Sequence, residues 1–237
     1  MNSSSRIILT TRPLEKFYPV NAPEGFSIVN IPLTEIRELP VDWDHIWASA
    51  PQVLVFTSTV GARIFLDHEG GNSLKDPEVI AIGNATAQEL SRRFHGIAVP
   101  SRQSSDGIVE LLRTEKYSGK TVALFSSAKS NRIIQNFLSA NGFRYIQCDL
   151  YDAVPVRKNE LNDYLSRNDV VCVIITSSHE ARLFREIAGS RATLKPLFAI
   201  GEITARTMRD LGISPSEPVG NSDLSSLVQE VCRKFLS

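Results

Sequence analysis

The chain of 237 residues is 42% hydrophobic and 22% charged, the composition of an ordinary globular protein with enough apolar residues for one large or two smaller cores. Its 26 basic residues balance 26 acidic ones, which excludes an overall field that would draw it to nucleic acid or an anionic membrane. The three widely spaced cysteines, Cys148, Cys172 and Cys232, argue against a disulfide framework and a zinc site. The apolar runs are too short for a signal peptide or a bilayer span, so we expect a cytoplasmic protein with neither a membrane nor a nucleic-acid partner.

The N-terminal region begins with a predicted strand at 6–10, which runs into Thr11-Arg12-Pro13. A dinucleotide-binding fold would carry G-x-G-x-x-G directly after such a strand, and that motif does not follow. The segment 26–39 alternates partly like a half-exposed strand, but Pro32 cannot occupy a central ladder position. We therefore expect this segment to be an edge or connecting strand.

Short blocks of strand, turn and helix recur along the rest of the chain. The run V-F-T-S at 55–58 returns as I-I-T-S at 174–177, and A-I-G-N-A-T-A at 81–87 returns as A-I-G-E-I-T-A at 199–205. A third pair, Ser105-Asp106 and Ser222-Asp223, follows in the same order, and the three pairs are separated by 119, 118 and 117 residues. Recurrence in one order at nearly one displacement predicts two similar halves.

A fourth block, a Ser-ended strand at 122–127, occurs in the first half but has no copy in the second. The N-terminal strand ends similarly, in Thr10-Thr11, and can supply the missing piece. The sequence thus predicts an α/β protein with two similar flavodoxin-like or Rossmann-like domains, whose parallel sheets are flanked by helices and joined by a two-stranded linker. The predicted ranges are 1–25 with 158–237 for a discontinuous domain, 40–142 for an inserted domain, and 26–39 and 143–157 for the linker strands.

The carboxyl ends of the predicted strands carry hydroxyls and backbone amides, and ligands of open α/β sheets bind at such ends. Each Thr-Ala pair is expected to open a helix, where free N–H groups and the helix dipole favour an anion. The histidines have no ligand spacing and no G-x-S-x-G motif occurs, so we expect no metal and no cofactor. The pattern predicts a ligand with several carboxylates or phosphates, with Arg12 and Arg132 adding charge. The alternative is structural, since Thr is an ordinary cap and Gly an ordinary turn residue.

Taken in order, the motifs resemble the uroporphyrinogen-III synthase family. The similarity spans nearly the whole chain, from T-T-R-P through V-F-T-S, A-I-G-N-A-T-A, S-S-D-G, D-L-Y-D-A-V-P, I-I-T-S and A-I-G-E-I-T-A. The resemblance implies two α/β domains, a monomer without a cofactor, and a cleft for the polycarboxylate hydroxymethylbilane. The implied reaction is a dehydrating cyclisation that inverts the last pyrrole ring and gives uroporphyrinogen III, a step of haem and other tetrapyrrole biosynthesis.

The resemblance also implies roles for individual residues. Tyr151 would help to protonate the departing hydroxyl of the substrate, as the catalytic residue; the alternative is a linker residue that packs against a domain. The residues expected to bind the substrate are Arg12, Ser58, Thr86, Ser126, Arg132, Ser177 and Thr204. The sequence departs from the common family pattern at Thr59 and Ser178, where proline is frequent, and at 126–128, where an Arg-Gly pair is often seen.

A rival of another class is a non-enzymatic two-domain sensor that binds a small anionic metabolite without chemistry. No DNA-binding helix-turn-helix accompanies the predicted domains, which makes the sensor the weaker interpretation.

Overall fold

The computed structural model describes residues 5–68, 76–156 and 158–236. Its contacts divide the chain into two compact units. Unit 1 comprises Met1–Glu35 with Val154–Ser237, and unit 2 comprises Ile36–Ala153. Among the described residues, no helix combines the length and the apolar character that crossing a membrane requires.

Strands and helices alternate along most of the described chain. The strands are β1 Arg6–Thr10, β2 Phe26–Asn30, β3 Thr34–Glu38, β4 Val53–Phe56, β5 Glu78–Ala81, β6 Val122–Ser127, β7 Tyr145–Pro155, β8 Val170–Ile175 and β9 Leu197–Ala199. The α-helices are α1 Trp43–Ala48, α2 Thr59–His68, α3 Asn84–Leu90, α4 Ser105–Leu112, α5 Ile133–Ala140, α6 Leu161–Leu165, α7 Ser178–Ala188, α8 Glu202–Asp210 and α9 Leu224–Leu236. Parallel sheets flanked by helices confirm the predicted fold class.

Unit 1 is built on a parallel sheet in the order β2-β1-β8-β9. The first strand therefore lies beside β8 from the C-terminal half, with Thr10 opposite Ile174. β8 is a nearly continuous apolar run, as expected for a parallel strand that helices cover on both faces. One core cluster contains residues of α7 and α8, and the other contains Leu224, Val228 and neighbouring residues of α9.

Unit 2 is built on a sheet in the order β3-β7-β6-β4-β5, in which β7, β6, β4 and β5 pair in parallel. Its two core clusters lie on α1, α2 and α3 and on α4 and α5. Trp43 and Trp47 stack at 5.8 Å between ring centroids, and Trp43 lies 5.9 Å from Phe65. The tryptophan pair therefore packs against the core of unit 2.

Both breaks between the units, at 35/36 and 153/154, fall inside the predicted linker ranges 26–39 and 143–157, and β3 and β7 from these ranges are neighbours in a sheet. Residues 26–30 form β2, an edge strand that pairs with β1, and the first half of β7 pairs with β6. Unit 1 accordingly extends beyond the predicted boundary at residue 25, to Glu35. Pro32 lies beyond the last ladder residue of β2, so residues 26–30 can form an edge strand, as the sequence predicted.

Candidate functional site

The same capped turn follows β4 in unit 2 and β8 in unit 1. Ser58 Oγ accepts a hydrogen bond from the amide of Gly61 at 3.0 Å, and Ser177 Oγ accepts one from the amide of Glu180 at 3.2 Å. Both serines are half-buried. Among the described residues, neither hydroxyl donates a hydrogen bond, so each hydrogen can be directed to an outside acceptor. Each turn therefore combines a hydroxyl donor with the start of a helix, α2 or α7.

The second repeated turn lies at Gly83 and Gly201, which are the N-cap residues of α3 and α8. Thr86 and Thr204 were expected to open these helices, but they are the third helical residues and are buried, at 3% and 5% exposure. The expectation that they act as caps is therefore wrong. The Thr86 hydroxyl lies 3.4 Å from that of Thr59 and so contributes to packing between α2 and α3.

The backbone is extended at both glycines, with φ of −165° at Gly83 and −175° at Gly201, a conformation that any residue can adopt. Glycine is favoured here because a side chain would have little space. A Cβ at Gly83 would collide with the side-chain oxygen of Gln103. That oxygen accepts a hydrogen bond from the amide of Asn84 at 3.1 Å. Gln103 thus already accepts a hydrogen bond from the Asn84 amide, one of the N–H groups at the start of α3 that were expected to bind an anionic ligand. No sequence pattern indicated this role of Gln103.

Tyr151 lies in β7 and is buried in the core of unit 2, at 2% exposure. Its hydroxyl donates to Ser58 Oγ at 3.0 Å. Ser58 therefore accepts two hydrogen bonds, one from Tyr151 and one from Gly61, and this polarises its own O–H toward an outside acceptor. The structure brings together two of the predicted site residues, with the serine as the more exposed member.

Ser126 is fully buried at the end of β6. Its hydroxyl accepts hydrogen bonds from Gln147 Nε2 at 2.8 Å and Ser130 Oγ at 3.3 Å, and it lies 3.5 Å from Asp149 Oδ1. This network engages the side chain inside unit 2. A ligand could contact the Ser126 hydroxyl only if the network opened.

The two predicted arginines differ in their surroundings. Arg12 is half-buried, with its guanidinium 5.4 Å from the ring centroid of Tyr18 and within 3.5 Å of the carbonyl oxygen of Lys16. Arg132 is exposed at the N-cap of α5. Arg12 is therefore the more constrained of the two, whereas Arg132 can move toward a ligand.

A buried carboxyl group lies beside the capped turn of unit 1, and sequence reasoning did not single it out. Glu180 is 4% exposed, and its Oε2 accepts hydrogen bonds from Thr11 Oγ1 at 2.9 Å, from the Thr176 amide at 3.2 Å, and from the Thr176 hydroxyl. Burial raises the pKa of Glu180, while these hydrogen bonds and the charge of Lys16 act in the opposite direction. The S-x-x-E spacing of Ser177 and Glu180 was the available signal.

In the described part of the chain, no group of three or more His, Cys, Asp or Glu residues is arranged to hold a metal ion.

Comparisons with known proteins give the capped turns a context. A family model described as uroporphyrinogen-III synthase HemD matches residues 22–229. The chain belongs to the uroporphyrinogen-III synthase family. This match confirms the resemblance seen in the motifs and makes the protein an enzyme of haem biosynthesis that acts on a small-molecule tetrapyrrole. A search of curated proteins found no match.

Solved structures of uroporphyrinogen-III synthases share the fold. A mutant form of the enzyme from the extremely thermophilic bacterium Thermus thermophilus is 18% identical, with a TM-score of 0.68, and the match covers 98% of this chain and 99% of that one. The uroporphyrinogen-III synthetase of Helicobacter pylori is 16% identical, with a TM-score of 0.67 and coverage of 97% and 99%. At these identities the likeness shows the fold alone.

At the two positions where proline is frequent in the family, 59 and 178, this chain carries a residue with a hydroxyl group. Thr59 lies beside Thr86, as described above, and Ser178 Oγ accepts a hydrogen bond from Thr207 Oγ1 at 2.8 Å. Each hydroxyl therefore links the helix after a capped turn to the next helix of its unit, α2 to α3 and α7 to α8. Proline would preorganise the first helical turn but could not make this link.

Proposed function

We propose that this protein is a lyase that closes hydroxymethylbilane into uroporphyrinogen III, with loss of water and inversion of the last pyrrole ring. The observation that carries this proposal is the family match over residues 22–229. The capped turns at Ser58 and Ser177 support it, because they present hydroxyl donors at the starts of two helices, and the substrate bears several carboxylates.

Substrate positioning is the main contribution that we assign to the protein. Loss of hydroxide from the substrate is intrinsically easy, so the product is decided by which ring carbon the chain end meets. In this mechanism Ser58 and Ser177 donate to substrate carboxylates, and Arg12 and Arg132 add positive charge. Thr86, Ser126 and Thr204 are buried, so their hydroxyls would reach a substrate carboxylate only if their surroundings opened.

We assign Tyr151 to the departure of the substrate hydroxyl. Because Tyr151 is buried and donates to Ser58, its proton reaches the substrate through the serine. Ser58 gives its proton to the departing hydroxyl, the C–O bond breaks to release water, and Tyr151 reprotonates Ser58. The proton lost from the ring carbon when the final pyrrole forms restores the tyrosine, so the net reaction is loss of one water molecule.

The direct test is isomer analysis of the product after oxidation to the porphyrin. Purified protein is incubated with hydroxymethylbilane in the presence of a chelator, beside a reaction without protein, which cyclises spontaneously to the type I isomer. We expect the type III isomer in the first reaction. If folded protein leaves only type I, the enzymatic proposal fails and the sensor of an anionic metabolite replaces it.

We further propose that the protein works as a monomer in the cytoplasm. All three cysteines are free and buried, as suits a reducing compartment. Burial raises the pKa of Cys148 to about 12, so this thiol stays neutral and unreactive near neutral pH. Light scattering of the purified protein tests the oligomeric state, with a mass near 26.3 kDa expected.

A further inference from the structure

We propose that Glu180 is a positioning residue for substrate binding, which holds the two segments of unit 1 that carry Arg12 and Ser177. This inference rests on the proposed function for the role of those two residues. Glu180 is not expected to touch the substrate, since its carboxyl group is buried and directed into unit 1.

The contacts of Glu180 join segments that are distant in the sequence. Its Oε2 accepts from the hydroxyl of Thr11, which directly precedes Arg12, and from the amide and hydroxyl of Thr176, which directly precedes Ser177. Its own amide donates to Ser177 Oγ. One residue thus fixes the ends of β1 and β8 and the first turn of α7.

These contacts differ from those of an ordinary capping box. In that motif the acidic side chain reaches back to the amide of the N-cap residue, which here is Ser177. Glu180 reaches instead to the amide of the preceding residue and to a hydroxyl on another strand. Among the described residues, all hydrogen bonds to the carboxyl group meet at Oε2. The geometry is that of a bridge between two strands, with helix capping left to Ser177.

The repeat shows that the capped turn does not itself require this bridge. A displacement of 119 residues relates Ser58 to Ser177 and Gly61 to Glu180. Gly61 supplies the capping amide in unit 2 without any side chain. The buried carboxyl group therefore serves something other than the turn, and its partners lie next to the predicted binding residues of unit 1.

The backbone around Arg12 is held from a second direction. Asn30 Nδ2 donates to the carbonyl oxygen of Arg12 at 2.9 Å, and the hydroxyl of Thr10 donates to Asn30 Oδ1 at 2.6 Å. Loss of Glu180 would leave the buried Thr11 hydroxyl and the Thr176 amide without this acceptor. The segments 11–12 and 176–177 would then relax while the rest of the sheet stays intact.

The test compares Glu180→Ala and Glu180→Gln with wild type and with Glu186→Ala, an exposed glutamate on the same helix. Binding contacts made in both ground and transition state appear in KM, so we expect Glu180→Ala to raise KM about tenfold with kcat nearly unchanged. Glu180→Gln keeps an oxygen acceptor and should restore most of the affinity. Glu186→Ala should match wild type. A partly unfolded protein would instead lose kcat in proportion and keep its KM.

Hydrogen exchange and binding of uroporphyrin III, the oxidised product, supply readouts that need no turnover. In Glu180→Ala we expect faster amide exchange at 11–12 and 176–178, unchanged exchange in unit 2, and weaker porphyrin binding. A folded Glu180→Ala protein with wild-type KM, or with unaltered exchange at these segments, overturns the inference. If wild type forms no type III isomer, the proposed function fails by itself, and the exchange and porphyrin-binding results still decide whether Glu180 positions this edge.

Discussion

The two units use the same capped turn but support it differently. In unit 2 the residue three positions after Ser58 is Gly61, and Tyr151 from β7 fills the space beside it, with Cε1 3.9 Å from where a Cβ would stand. In unit 1 the corresponding residue is Glu180, whose carboxyl group joins β1 to β8. A buried tyrosine donates to the serine of one unit, and a buried carboxyl group fixes the surroundings of the serine in the other.

This difference divides the work between the two turns. Ser58 receives a proton donor as its partner, so its hydroxyl is suited to proton transfer. Ser177 instead has a glutamate in its first helical turn, whose buried carboxyl group holds the segments that carry Arg12 and Ser177. We therefore expect unit 2 to contribute more to turnover and unit 1 to contribute more to positioning the substrate.

The largest expected effect comes from removing the Tyr151 hydroxyl. Tyr151→Phe keeps the ring and its packing, so turnover should fall by roughly 10²-fold, the lower end of a general acid's contribution because the hydroxide leaves readily, with little change in thermal stability. Tyr145→Phe is the matched control, because Tyr145 lies on the same strand and its hydroxyl is 3.0 Å from Ser139. Steady-state kinetics and melting curves give both numbers. Equal activity of the two variants would remove Tyr151 from the reaction.

The second prediction separates the two serines. Ser58→Ala and Ser177→Ala each lose a helix cap, so each should lose about 1 kcal/mol of stability in denaturant unfolding. Ser58→Ala should also slow turnover nearly as much as Tyr151→Phe. The variant that combines Ser58→Ala with Tyr151→Phe should be no slower than the slower of these two single variants, because Ser58 and Tyr151 act as one unit. Ser177→Ala should mainly raise KM. Identical kinetic effects of the two serine variants would contradict the division of work.

A smaller effect is expected at Gly61. A Cβ at this position would lie 3.2 Å from Ser58 Oγ, closer than ordinary contact. Gly61→Ala should gain up to about 1 kcal/mol of helix propensity, offset by the crowding, so we expect little net change in stability. The displaced serine should nevertheless lower kcat. A variant that is both more stable and fully active would show that the Ser58–Tyr151 geometry tolerates movement.

The sequence predicted the strands and turns that the two units share, because each repeated block is a short continuous segment of the chain. The strands, the glycine turns and the serines at 58 and 177 all belong to short blocks whose residues lie next to one another in the chain. The same locality explains the wrong assignment of Thr86 and Thr204, since a shift of three positions decides whether a hydroxyl near a helix start is a cap or a buried packing residue of the first turn.

Contacts between distant segments were beyond sequence reasoning. Gln103 accepts a hydrogen bond from the Asn84 amide, 19 residues away in the sequence, and Glu180 accepts one from the Thr11 hydroxyl, 169 residues away. No periodicity encodes such pairs, because they depend on how loops and strand ends meet after folding. The displacement of 119 residues places Glu180 at the position of Gly61, so the sequence does show that the two turns differ at this position.

The smallest expected effect concerns stability against pH at Glu180. Its pKa is raised in the folded protein because burial disfavours the charged form, so the unfolded chain releases this proton at lower pH than the folded protein does. As pH rises from the pKa of Glu180 in the unfolded chain to its pKa in the folded protein, ionisation therefore favours the unfolded chain, and wild type loses stability through this window.

Glu180→Gln keeps an oxygen acceptor and does not titrate. Its melting temperature relative to wild type should thus be higher at pH 7 than at pH 4, whereas the difference between Glu186→Ala and wild type should be the same at both. A Glu180→Gln difference that does not change with pH, or that falls as pH rises, would mean that the hydrogen bonds from Thr11 and Thr176 outweigh the burial of the charge.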